Sequence, residues 1–230
     1  MPNTTKNQFV AGLISNEVLR YAERNPLGAE AAAIKKCSIL EIRYDLFENE
    51  SEWSTLSQRA LDLSPKALRL GTIRLEKDGG AFKNERAAER MPLFVGKALD
   101  WIDLERGVFS GTENLDTKII CSWHLFDRVP SEQELNKFAE ECLDLKAHGC
   151  KVAAMAHSKN EADALYDFTK KYEKYFELFS AFAMGEQGKE SRLRSLREGA
   201  NLIYGSIKGA LAPGQLSIDE IFECLTSKNQ

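Results

Sequence analysis

The chain has 230 residues, of which 43% are hydrophobic and 29% charged, and a formal net charge of −4. This length suits one α/β domain, and folding at that size buries roughly 70% of the unfolded surface, so no disulfide or metal staple is required. Mild acidity excludes a general nucleic-acid binder, which needs a basic surface, yet leaves room for a small anionic ligand held by a few arginines.

The five cysteines, Cys37, Cys121, Cys142, Cys150 and Cys224, are odd in number and show no C-x-x-C spacing. Neither a disulfide framework nor a zinc site is expected. The first apolar run is far below a ~20-residue membrane span and lacks the pattern of a signal peptide. A soluble, cytoplasmic protein is expected, with no nucleic-acid or membrane partner.

In chain order, apolar runs occur at 9–14, 38–47, 68–74, 101–105, 118–125, 151–157, 177–184 and 202–207. Between them, as in 17–36, 131–148 and 160–175, apolar residues recur at three and four, which is helical spacing. Ser131 with Glu134 and Ser217 with Glu220 read as capping boxes that open helices. No linker or repeat interrupts the pattern, so 1–230 is read as one domain. Eight strands alternating with helices predict a (β/α)8 TIM barrel, with an open doubly wound sheet as the alternative. In a barrel, functional groups gather at the carboxyl ends of the strands.

The second run carries Glu41, Arg43 and Asp45 at alternate positions, hence on one face. They read either as a solvated edge strand or, in a closed barrel without edges, as charges paired in the interior. The third run ends Thr72-Ile73-Arg74 and is followed by Asp78-Gly79-Gly80, a tight loop after an arginine suited to an oxygen-rich ligand. His124 closes the fifth run, where an imidazole can serve as a base or simply pack. Lys151 lies in an apolar stretch, Lys151-Val152-Ala153. Buried, its amine becomes a nucleophile able to form an imine; before the strand proper, it snorkels to solvent. In the block Met184-Gly185 through Ser191-Arg192, Arg192 can hold a carboxylate, or the glycines can cradle a phosphate, or the segment is a plain polar loop. Ala212-Pro213-Gly214-Gln215 follows.

Together these blocks, in this order and spacing, resemble the type I 3-dehydroquinate dehydratases over nearly the whole chain. The resemblance implies a cofactor-independent lyase of the shikimate pathway, which eliminates water from 3-dehydroquinate to give 3-dehydroshikimate. It implies that Lys151 forms the imine with the substrate ketone and that His124 removes a C2 proton and then protonates the departing hydroxyl. Arg192 matches the carboxylate clamp, and Glu41, Arg43, Arg74 and Gln215 match positions that hold the substrate. A homodimer is also implied.

Three positions depart from the family pattern. Asp78 stands where a glutamate usually orients the histidine. Leu211 replaces a hydroxyl residue before Ala-Pro-Gly-Gln, and His148 replaces an aspartate three residues before the lysine. Two other readings remain: a barrel that binds without catalysing, and a Schiff-base aldolase acting on a sugar phosphate.

Overall fold

The structure, a computed structural model, describes residues 7–94, 97–108, 117–209 and 214–227. Eight strands are present: β1 Phe9–Ile14, β2 Ile39–Arg43, β3 Leu68–Thr72, β4 Trp101–Glu105, β5 Lys118–Leu125, β6 Gly149–Met155, β7 Leu178–Met184 and β8 Leu202–Gly205. The helices between and after them are α1 Asn16–Arg24, α2 Ala29–Lys36, α3 Trp53–Leu63, α4 Arg90–Phe94, α5 Glu132–Asp144, α6 Lys159–Tyr172, α7 Gly188–Arg197 and α8 Ile218–Thr226.

All paired strands are parallel, in the order β7-β6-β5-β4-β3-β2-β1-β8. With helices crossing over on the outside, this is a nearly closed (β/α)8 barrel. Between β7 and β8 no ladder forms, and Asn201 bridges the gap. Its side-chain oxygen accepts from Phe179 N at 2.8 Å, its amide nitrogen donates to Glu177 O at 2.8 Å, and its backbone N donates to Phe179 O at 3.2 Å. A side-chain amide thus supplies the donor and acceptor that a neighbouring strand would otherwise provide.

Strand alternation divides the apolar residues into two layers. Outward-facing residues such as Leu40, Ile42, Cys121, Val152 and Phe179 pack beneath the helices. Inward-facing Ile39, Leu70, Trp101, Ile120, Leu178 and Leu202 fill the barrel interior. Further along the same strands the inward positions turn polar, and there the site lies.

The predicted bounds of β1, β4 and β5 agree with the structure. β2 stops sooner than the run 38–47, because Tyr44–Leu46 form a short 3-10 turn. β6 begins two residues before Lys151, so the lysine belongs to the strand and is 5% exposed. The helical stretch 17–36 is two helices, separated by residues 25–28, where Pro26 disfavours helical backbone in the residue before it. Both capping boxes form at α5 and α8. Cys37, Cys121, Cys142 and Cys150 are buried and form no disulfide.

Candidate active site

A cavity of about 140 Å³ opens at the carboxyl ends of the strands. Glu41, Arg43, Arg74, Asp78, His124, Lys151, Arg192 and Gln215 all line it, with Leu13, Gly79, Phe126, Phe182, Met184 and Tyr204 completing the wall. These eight residues therefore meet at one place, although 174 positions separate Glu41 from Gln215, while Asp45 does not line it. The side chains reach it because each stands at an inward position of its strand, in the loop that follows, or, for Arg192, on helix α7.

The floor is built by β4. Trp101, Asp103 and Glu105 alternate inward, and both carboxylates are buried. Arg74 joins them: Nη2 donates to Asp103 Oδ1 at 2.7 Å, and Nη1 donates to Glu105 Oε2 and to Ser122 Oγ, the latter at 3.0 Å. Ser122 Oγ in turn donates to Asp103 Oδ1 at 2.6 Å. Burial opposes ionisation of both carboxyls, but the facing charges and hydrogen bonds outweigh it. Asp103, beside Arg74 and Lys151, is held far below the carboxylate range; Glu105, against His124 and Arg74, is drawn down to about 2.

Lys151 Nζ donates to Asp103 Oδ2 at 3.1 Å and lies 4.0 Å from the centre of the Tyr204 ring. The lysine is an interior side chain, and the snorkelling alternative is excluded. His124 approaches from β5. Its backbone N donates to Glu105 Oε1 at 2.8 Å, and its Nδ1 lies 2.9 Å from Glu105 Oε2. Burial, then the nearby Arg74 charge, lower its pKa below the ordinary 6.5, so the neutral imidazole dominates at pH 7.

Arg192 differs from the other cations. It extends from α7, is 3% exposed, stacks 3.7 Å from the Phe182 ring centre and donates from Nε to Gly214 O at 3.1 Å. Among the described residues no carboxylate pairs with it. Desolvation alone therefore acts on it and brings its pKa down to about 9. A buried guanidinium without a counter-ion is costly, and a carboxylate-bearing ligand would offset that cost.

Some expectations change on this geometry. Asp78 lines the cavity, but no hydrogen bond joins it to His124. Its Oδ2 is buried without a partner, and Glu105 occupies Nδ1 in its stead. Arg74 directs its guanidinium into the floor, to Asp103, Glu105 and Ser122. Arg43 makes two bonds to Asp45, at 2.9 and 2.7 Å, and Asp45 Oδ2 accepts from Ala81 N at 3.1 Å, which ties β2 to the Gly79-Gly80 loop. Glu41 accepts from Thr72 Oγ1 at 3.0 Å. His148 lies away from the cavity; its Nδ1 accepts from Ile119 N at 3.3 Å, and its ring meets Trp101 edge-on. Leu211, Ala212 and Pro213 fall outside the described residues.

Asp103, Glu105, Ser122 and Tyr204 were not anticipated from the sequence. The signal for the first two was present: in Trp101-Ile102-Asp103-Leu104-Glu105 two carboxylates alternate inward on an apolar strand, the pattern already noted for Glu41 and Arg43.

A nearly closed parallel barrel whose strand ends gather a buried lysine, a histidine and an arginine around one cavity belongs to the class of (β/α)8 barrel enzymes. Residues 19–230 match the family model for type I 3-dehydroquinase, and the chain belongs to that family. The 3-dehydroquinate dehydratase of Enterococcus faecalis is 31% identical over 221 residues, covering 88% of this chain and 86% of the relative. A Methanococcus maripaludis counterpart of the same name is 32% identical over 209 residues, covering 84% and 89% respectively. Among solved structures, the 3-dehydroquinate dehydratase of Geobacillus kaustophilus superposes with a TM-score of 0.80 at 22% identity, covering 97% of this chain and 91% of that one. At such identity the superposition establishes the fold.

Proposed function

We propose that this chain is a hydro-lyase that converts 3-dehydroquinate to 3-dehydroshikimate through an imine on Lys151. The observation that carries the reading is the meeting of three groups in one cavity: the Lys151 amine, the neutral His124 imidazole and the Arg192 guanidinium, which has no carboxylate partner among the described residues.

Each group has a task in the elimination. Arg192 takes the ring carboxylate and fixes the substrate's orientation. As the Lys151 amine adds to the ketone carbon, the proton lost from its ammonium and a second proton from the nitrogen pass to the former ketone oxygen, which leaves as water, and an iminium remains. His124 then takes a proton from C2, and the C–H electrons flow into the iminium to give a neutral enamine. The same imidazole returns its proton to the departing hydroxyl, which leaves as water. Hydrolysis of the conjugated imine frees the lysine and the enone. Glu41 and Gln215, on the cavity wall, suit the ring hydroxyls. Four buried cysteines outside any disulfide suit a reducing, cytoplasmic setting.

A spectroscopic assay tests this directly. Purified protein given 3-dehydroquinate should raise the ultraviolet absorbance of a conjugated enone, in proportion to enzyme concentration. Folded protein that produces no enone contradicts the reading.

A further inference from the structure

The histidine needs a tautomer as well as a place. An imidazole that removes a carbon-bound proton must present a bare nitrogen to the substrate and keep its N–H on the other side. We propose that Glu105, at the end of β4, is the positioning residue that sets this tautomer, and that Asp78 in the Gly79-Gly80 loop is not; the inference rests on the dehydratase reading above.

Glu105 grips His124 at two points with its two oxygens. Oε1 accepts the histidine backbone N–H at 2.8 Å, and Oε2 faces Nδ1 at 2.9 Å. The carboxylate is itself fixed, since Arg74 donates to Oε2. It is 7% exposed and ionised at any pH at which the protein would work, its pKa having fallen to about 2. An ionised carboxylate only accepts, so Nδ1 must carry the hydrogen. Nε2 is then bare and serves as the base.

The same contact acts during the reaction. When the C2 proton passes to Nε2, the ring becomes imidazolium, with hydrogens on both nitrogens and a positive charge. Glu105 stands against that charge until Nε2 hands the proton to the leaving hydroxyl. Asp78 has neither contact: no hydrogen bond links it to the ring, and its pKa is raised, by burial and by the neighbouring Glu105 charge.

The test combines a spectrum of the wild type with a pair of variants. In ¹⁵N-histidine-labelled protein near pH 7, with three histidines to assign, His124 should show a protonated Nδ1 and a bare Nε2. The opposite tautomer overturns the proposal, and this reading needs no variant to fold. Glu105→Gln should lower kcat by about 10²–10⁴-fold, as expected for a base held in the wrong tautomer, with KM within a few-fold. Borohydride should still trap the 3-dehydroquinate adduct on Lys151 in this variant, because imine formation precedes the step that Glu105 supports. Asp78→Asn should lose less turnover than Glu105→Gln; the reverse order overturns the assignment. If wild-type protein traps no adduct, the dehydratase reading fails, while the histidine spectrum still judges Glu105.

Discussion

Lys151 Nζ and Asp103 Oδ2 lie 3.1 Å apart inside the barrel, with both side chains almost wholly removed from solvent. Asp103 also binds Arg74 and Ser122, so one carboxylate holds two buried cations. Removing one member of such a cluster strands the others. Asp103→Ala should therefore lower unfolding free energy by about 3–5 kcal/mol, the usual cost of breaking a buried ion pair. Urea denaturation measures this, and a loss below ~1 kcal/mol would show that the cluster is not structural.

The lowered pKa of His124 fixes a direction in the pH profile. The base must be neutral to act, so activity is lost as pH falls through its folded-state pKa. That value lies below the ordinary 6.5, because burial and Arg74 both disfavour the imidazolium. The acid limb of kcat/KM should consequently have its midpoint below pH 6.5 in the wild type. A midpoint above 7 would mean that the Glu105 charge, rather than burial, dominates the ring.

Arg192 should act on affinity. Among the described residues no carboxylate pairs with its guanidinium, which leaves it able to bind one from substrate. Arg192→Ala should raise KM by about 10–100-fold, as expected for losing a hydrogen bond to a charged group worth about 1.5–3 kcal/mol. Initial-rate kinetics over a wide substrate range would reveal this, and an unchanged KM would remove the clamp role.

Barrel closure offers a separate test away from the chemistry. Asn201→Leu would leave Phe179 N–H and the Glu177 carbonyl without their bridge between β7 and β8. The expected cost is about 1–3 kcal/mol, the usual cost of leaving one buried polar group, here the Phe179 N–H, unpaired. Hydrogen exchange should speed up at Phe179 before it does in β4 or β5. Uniform exchange along the sheet would contradict a weak seam there.

Much of this was legible in the sequence, for identifiable reasons. The bounds expected for β1, β4 and β5 match the structure, clearest at β1, whose apolar run lies between Gln8 and Ser15. The Ser131–Glu134 and Ser217–Glu220 boxes were found because a cap is local chemistry. All eight expected site residues meet in one cavity because the barrel sends strand ends to a common face. What sequence missed was partnership. Asp45 turns back onto Arg43 and Ala81, which ends β2 early. Glu105, not Asp78, meets the histidine, because the fold sets the end of β4 beside that of β5. Pairing across strands is a property of register, and local pattern does not reveal it.

The central claim is that Lys151 bonds covalently to substrate. Purified protein should be incubated with 3-dehydroquinate and sodium borohydride, digested, and mapped by mass spectrometry. The account predicts a reduced product adduct on Lys151, with its loss in Lys151→Ala protein that remains folded. An active wild-type enzyme whose Lys151 stays unmodified, or an adduct on another lysine, would contradict it.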